Sequence, residues 1–294
     1  MIQSRRSLAI VAVIVLMTVW GCTFVVTKAA ARDLPPLTLA ALRFLIASLV
    51  LIPIALSRGG LQKLPRPIPW GALTLLALTG ITGFAITFTF ALVYGSASQG
   101  ALIYAALPAA IAVAAVVFLH ERPTRRRIAG IALSVVGVAL LVMTGTPDAA
   151  SPQPLLGALW MLGAVAVWTT YTVMAKRLAD VDPIVTIAVV STLGTVMLLP
   201  PAAIELAEHG WTNPSLIAWG SVLFLGVVAS ALAYIVYAFV LRELDASLVG
   251  AYTNLDPIVG VLIAVVFFGE TLHSGQLAGG ILALVGMWLA SAET

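Results

Sequence analysis

Charge is the scarcest feature of this chain. Its 294 residues carry 15 Lys and Arg against 12 Asp and Glu, a charged share of 9%, where a soluble domain carries about 25%. With 61% hydrophobic residues and a mean hydropathy of +1.10, a soluble globular fold is excluded. Cysteine is nearly absent: Cys22 stands alone, which excludes an intramolecular disulfide and any Cys-based metal site. His120, His209 and His273 all fall between apolar runs, so no His–acid spacing for an intramembrane metal exists, and no Gly-rich phosphate cradle is found. An enzyme is therefore not expected, nor a metal or cofactor. The net charge of +3 sits in short clusters between apolar runs. That pattern reads as membrane orientation, so no nucleic-acid partner is expected.

What is present is apolar length. Runs occur at about 8–31, 38–56, 70–94, 97–119, 127–144, 155–175, 183–201, 215–241, 246–268 and 275–291, separated by Pro35-Pro36, Gly59-Gly60 through Pro69, Gly145 to Pro154, Asp182-Pro183, Pro200-Pro201 and Asn213-Pro214. They predict ten transmembrane helices in an all-α polytopic membrane protein, with the lipid bilayer as its surroundings. The first run continues well past Cys22, and Trp20 stands where a cleavage site wants a small residue, so this segment reads as a span and not a signal. With the N-terminus cytoplasmic, twelve Lys and Arg fall on the inner side, Lys28 and Arg32 on the outer, and Arg43 within the second span. The bias predicts cytoplasmic termini and a plasma (cytoplasmic, inner) membrane location.

The two halves repeat. Val19-Trp20 with Lys28 recurs as Val167-Trp168 with Lys176, a shift of 148. Ala97-Ser98, Pro108, Glu121, Gly130 and Gly137 recur as Ala246-Ser247, Pro257, Glu270, Gly279 and Gly286 at a shift of 149. Five spans per unit is an odd number, so the units, 1–147 and 148–294, are expected to be inverted. Inverted repeats are the architecture of secondary transporters that rock about a midplane site.

Trp20-Gly21 with Lys28 after it, Ala41-Leu42-Arg43-Phe44, and Phe267-Phe268-Gly269-Glu270 followed by Gly279 and Gly286 resemble the EamA-type transporters of the drug/metabolite transporter (DMT) superfamily, over nearly the whole chain in two copies. The first copy departs from the pattern, with His120-Glu121-Arg122 where the second has Gly269-Glu270-Thr271. The resemblance implies an exporter or exchanger of amino acids or related small metabolites. The expectation is a secondary active transporter, an exporter working by alternating access, with a small-molecule substrate and a proton or counter-substrate as partners. A flippase for a lipid-linked or amphipathic substrate is the alternative. The small residues Gly130, Gly137, Gly279, Gly280 and Gly286 suit close helix packing within one chain or between subunits, and a monomer or weak homodimer is expected.

Polar groups inside hydrocarbon are costly and mark candidate sites. Asp256, about ten residues into the ninth run and next to Pro257, reads either as an N-cap of a restarted helix or as a proton carrier or contact for a substrate amine. Pro108 and Pro257 are matched helix breaks, which point to a central site or to kinking alone. Tyr104, Thr253 and Asn254 stand beside them. Arg43 reads as a structural ion pair, with Asp256 or Glu270 as partner, or as a carboxylate fork. Trp20, Trp168, Tyr171, Tyr234 and Tyr237 lie too deep for the interfacial belt that Trp70, Trp211 and Trp288 fit, so they either line a wet cavity or pack helices; Thr23, Thr87 and Phe88 are lesser candidates for its wall. Lys28 and Lys176 are expected to snorkel.

The charge asymmetry predicts that, in a Cys22→Ser background, a cysteine at Glu208 is modified by an impermeant thiol reagent added outside cells and a cysteine at Arg126 is not. The reverse pattern would overturn the orientation.

Overall fold

A computed structural model describes residues 2–119, 124–144, 151–175, 181–211, 213–244, 252–253 and 255–291. Helices make up most of these residues, joined by turns, with no strand among them. The helices are α1 (Ile2–Ala30), α2 (Pro36–Ser57), α3 (Trp70–Tyr94), α4 (Ala97–Tyr104), α5 (Leu107–Leu119), α6 (Arg125–Thr144), α7 (Pro154–Ala175) and α8 (Pro183–His209). Three further helices complete the set: α9, running from Leu216 to Glu243, α10 (Leu255–Phe268) and α11 (Ser274–Ser291). Among the described residues, eight spans are long and apolar enough to cross a membrane, with α4 and α5 counted together; α10 and α11 are shorter apolar helices. Large apolar side chains stand on the outside, Leu216 90% exposed and Met143 82%. Such a surface is at home against lipid tails, and the chain is a multi-pass membrane protein.

Three features depart from the apolar runs. The run at 97–119 is two helices, interrupted at Ala105 and Ala106, because Pro108 supplies no N–H and the helix restarts just before it, at Leu107. The run at 183–201 does not end at Pro200-Pro201: α8 continues through both prolines to His209. Its continuation carries Glu205, placed in a connection by the sequence reading, into a buried position. Finally, α3 and α9 each contain a π-helical stretch, Leu78–Gly83 and Phe224–Leu232.

Packing follows the small residues. α6 and α11 run antiparallel with backbones in contact: a Cβ on Gly130 would meet the Gly286 oxygen at 2.8 Å, and one on Gly137 would meet the Gly279 oxygen at 2.7 Å. Hydrocarbon offers helices no hydrophobic drive to associate, so close backbone approach supplies the van der Waals contact. α2 lies along α8, where the Ser48 and Thr195 hydroxyls bond each other at 3.0 Å in a buried setting.

At one end of the bundle, helix termini are closed by charged side chains from elsewhere. Glu205 of α8 accepts from Leu37 N (3.1 Å), Thr38 N (2.7 Å) and the Thr38 hydroxyl (2.9 Å) at the start of α2. Glu270 accepts from Ala97 N (3.0 Å) and Ser98 N (2.8 Å) at the start of α4. Ser215 N, ahead of α9, donates to Asp33 (3.1 Å), and the bonds from Ser215 hold the Asp33 carboxyl below its ordinary range. Each carboxylate meets the positive end of a helix and the N–H groups that no helical carbonyl reaches. Lys28 does the converse: instead of snorkelling, its ammonium donates to Leu92 O (3.1 Å) and Gly95 O at the end of α3. Lys176 lies outside the described residues.

Charge-assisted bonds to a buried carboxylate are each worth about 1.5–3 kcal/mol. Glu270→Ala should therefore lower the thermal unfolding temperature in detergent. Glu270→Gln, which keeps one acceptor oxygen, should lose less. Equal stability of wild type and Glu270→Ala would show that the cap contributes nothing.

Candidate functional site

Polar and aromatic side chains converge where α1, α2, α3, α4, α7, α9 and α10 meet. α9 supplies the key irregularity. Its π stretch widens the turn between Phe224 and Leu232 and so presents groups that an α-helix would keep to itself. The Trp20 indole N–H donates to the Ala229 carbonyl at 3.1 Å, and Arg43 Nε donates to the Ser230 hydroxyl at 3.0 Å. α2 approaches this stretch closely because Gly226 is there, whose Cβ would meet the Arg43 oxygen at 2.9 Å. The π stretch of α3 is plugged in a parallel manner, by the ring of Tyr171 lying on Gly80.

Two groups of rings flank the centre. Trp20 packs against Tyr237 (5.5 Å between ring centroids) and Tyr234 (6.4 Å). The other group joins Phe24 to Phe88 (5.1 Å) and Tyr104 (5.7 Å), Phe84 to Trp168 (4.8 Å), and Trp168 to Tyr171 (5.0 Å). Tyr171 is within electrostatic reach of Tyr234 and Tyr237, which links the groups. Trp20, Trp168, Tyr171, Tyr234 and Tyr237 are half-buried. Phe88 and Thr23 are buried, the Thr23 hydroxyl turned back onto the Trp20 carbonyl at 2.6 Å.

Among the described residues, neither of the two ionisable groups of the centre, Arg43 and Asp256, forms an ion pair. Arg43 is 9% exposed, its guanidinium 5.1 Å from the Phe44 ring centroid. It does not form the expected ion pair with Asp256 or Glu270. Glu270 is committed to the start of α4, and the ion pairs among the described residues are Arg5–Glu243 and Arg58–Asp182. Asp256 is also 9% exposed, and its Oδ1 is buried with no hydrogen-bond partner among the described residues. The capping geometry expected of it does not form at that atom. α10 begins at Leu255, so Asp256 lies in the first turn and Pro257 follows within it. Its N–H donates to the Thr253 carbonyl at 3.2 Å, and Thr253 is half-buried. Asn254 lies outside the described residues. Tyr104, at the broken end of α4, interacts electrostatically with Asp256, Tyr234 and Arg43. Two grooves elsewhere, one between α2 and α8 and one beside Glu205, include none of the residues nominated from sequence.

Sequence reasoning missed Ser230 and both π stretches. Gly80 and Gly83 in the third apolar run, and Gly226 in the eighth, are the only signals it held, and a glycine in a span reads first as packing. Among the described residues no cluster of three or more His, Cys, Asp or Glu could hold a metal.

Comparison with known proteins places this geometry in a lineage. The profile of the EamA-like transporter family matches twice, over residues 7–143 and 155–292. The chain is 30% identical to an uncharacterized transporter of Archaeoglobus fulgidus, covering 94% of this chain and 95% of that protein. It is 32% identical to a probable amino-acid metabolite efflux pump of Salmonella typhimurium, over 94% and 92%. It is 26% identical to a probable terminal-alkyne amino-acid exporter of Streptantibioticus cattleyicolor, over 99% and 95%. A solved crystal structure at 22% identity superposes with a TM-score of 0.67 over 96% of each chain, a likeness of fold.

A buried guanidinium without a carboxylate partner works against stability. Arg43→Met should leave thermal stability unchanged or raise it by about 1 kcal/mol. A fall of several kcal/mol would mean that Arg43 is a structural element of the core.

Proposed function

The chain belongs to the EamA-like transporter family, and on that premise we propose that it is a secondary active exporter of an amino acid or a related small metabolite, working by alternating access. One observation carries the reading: a buried guanidinium and a buried carboxyl, neither ion-paired to the other, share an aromatic-walled centre around Tyr104. A zwitterion complements that pair. Its carboxylate would take the guanidinium fork of Arg43, its ammonium the carboxylate of Asp256, and its side chain the rings of Phe84, Phe88 and Trp168. The names of the Salmonella and Streptantibioticus relatives, an amino-acid metabolite efflux pump and a terminal-alkyne amino-acid exporter, favour the same class.

The architecture proposed is two inverted five-helix repeats, 1–147 and 148–294, ten spans in all. Three observations support it. A shift of 149 carries the π stretch at 78–83 onto 227–232, inside the π stretch of α9. Trp20 of the first half closes the π stretch of the second, and Tyr171 of the second half closes that of the first. Gly130 and Gly137 meet Gly286 and Gly279 in reciprocal order, as a two-fold relation requires. In this reading both termini are cytoplasmic, the membrane is the cytoplasmic one, and the working unit is a single chain or a weak homodimer. Uphill movement draws on a proton carried by Asp256 or on exchange against a counter-substrate.

Transport by the purified protein in vesicles tests this. Wild type should accumulate a labelled amino acid against its gradient when a pH gradient is imposed. Asp256→Asn should still exchange substrate across a membrane without a gradient but lose the accumulation. Uphill transport by Asp256→Asn equal to wild type would move the coupling elsewhere, and no movement of any amino acid by wild type would overturn the substrate class.

A further inference from the structure

An apolar groove lies between α2 and α8, away from the centre, with a cavity volume of about 250 Å³. Leu56 of α2 forms one wall and Val185, Val189 and Leu193 of α8 the other; Leu61 and Trp70 stand at its mouth. Thr192 also lines it, but its hydroxyl donates to its own helix, to the Ala188 carbonyl at 2.7 Å, so it asks nothing of a ligand. From Val185 to Leu193 a helix rises about 12 Å, most of one leaflet of a hydrocarbon core about 30 Å thick. An unbranched alkyl chain fits such a slot; a polar solute does not.

The connection from α2 to α3, whose Gly60 and Leu61 line the groove ahead of Trp70, is basic. The chain leaves α2 through Arg58, turns at Gly59 and Gly60 with φ of +104° and +54°, and carries exposed Lys63 and Arg66 before Trp70. The turn folds the Lys63 side chain back over Gly59, to about 3.5 Å from the position a Cβ would take there. Asp182 is the acid of this mouth among the described residues. It stands 4.0 Å from Arg58, and its Oδ1 is occupied by Ile184 N (2.9 Å) and Val185 N (3.2 Å) at the start of α8. Lys63 and Arg66 form no ion pair among the described residues.

We propose that this groove is a binding site for one anionic phospholipid, an acyl chain lying between α2 and α8 and the phosphate headgroup held by Lys63 and Arg66. The alkyl chain supplies the shape and the headgroup the charge that the mouth lacks. Basic residues at a membrane surface each favour an anionic headgroup, and an enclosed groove adds residence that a flat basic surface does not. The site is independent of the transported substrate.

The test is native mass spectrometry of the full-length protein released from bilayers of phosphatidylcholine with about a third phosphatidylglycerol, a mixture in which surface charge alone gives weak enrichment. Wild type should retain one lipid, with the ratio of retained phosphatidylglycerol to phosphatidylcholine roughly tenfold above the bulk ratio. Lys63→Gln with Arg66→Gln should retain a lipid without enrichment. Val189→Trp should lose the retained lipid, and Leu56→Trp, at an exposed position of the wall, should do the same if Val189→Trp fails to fold. Retention of both lipids in bulk proportion by wild type would overturn the proposal. So would enrichment that survives filling of the groove, which would mark a diffuse surface attraction, or a dimer mass with the groove emptied of lipid, which would mark a second copy as its occupant.

Discussion

Hydrocarbon offers no water, so each backbone N–H and C=O inside the bilayer must find a partner within the protein. A run of unbroken helices meets that demand trivially, but such a bundle has nothing at its centre. This chain interrupts its helices, at Ala105 and Ala106, at the two π stretches and at the start of α10, and meets the demand with side chains from distant segments. Trp20 takes the Ala229 carbonyl, 209 residues away in sequence; Glu205 and Glu270 take the N–H groups of α2 and α4, at separations of 167 to 173 residues. These bonds tie the first half to the second. Bonds of this kind are made or absent, which is the discrete behaviour that a two-state machine requires.

The same economy explains which charges are paired. At the bundle end, carboxylates sit on helix N-termini, where the backbone supplies both donors and favourable potential. At the centre, among the described residues, Arg43 has a hydroxyl partner and a ring beside it but no carboxylate, and one oxygen of Asp256 has no partner. A core selected for stability alone would have replaced both with apolar residues. Their retention in a place of high cost is the expected signature of a site whose missing partners arrive from solution.

Much of this was legible in the sequence because the relevant signals are local. Long apolar runs announce spans, and an aromatic or charged residue deep within one nominates a centre, which is how Trp20, Arg43, Trp168, Tyr234 and Asp256 become candidates from sequence. Pro108 marked a real break because it stands just after the start of a restarted helix, whereas Pro200 and Pro201 marked none, since α8 absorbs both and continues to Glu205. The roles of Lys28, Glu205 and Ser230 were not legible. Each is defined by a partner more than 60 residues away, and composition near the residue carries no trace of that partner. The π stretches were hidden for a related reason: an extra residue per turn changes which carbonyls are available but leaves an apolar run looking like any other.

Alternating access, as proposed above, requires that the site around Tyr104 open to one side of the membrane at a time. The test is labelling of Thr23→Cys, in a Cys22→Ser background, by an impermeant thiol reagent presented from either side, before and after a disulfide between cysteines placed at Ser98 and Glu270 locks the chain beyond α10 to the start of α4. Labelling is expected from both sides in separate experiments before locking, and is expected to be lost from the locked side alone afterwards. Labelling from neither side before locking would make the centre a sealed core, and a lock that leaves access from both sides unchanged would contradict alternating access.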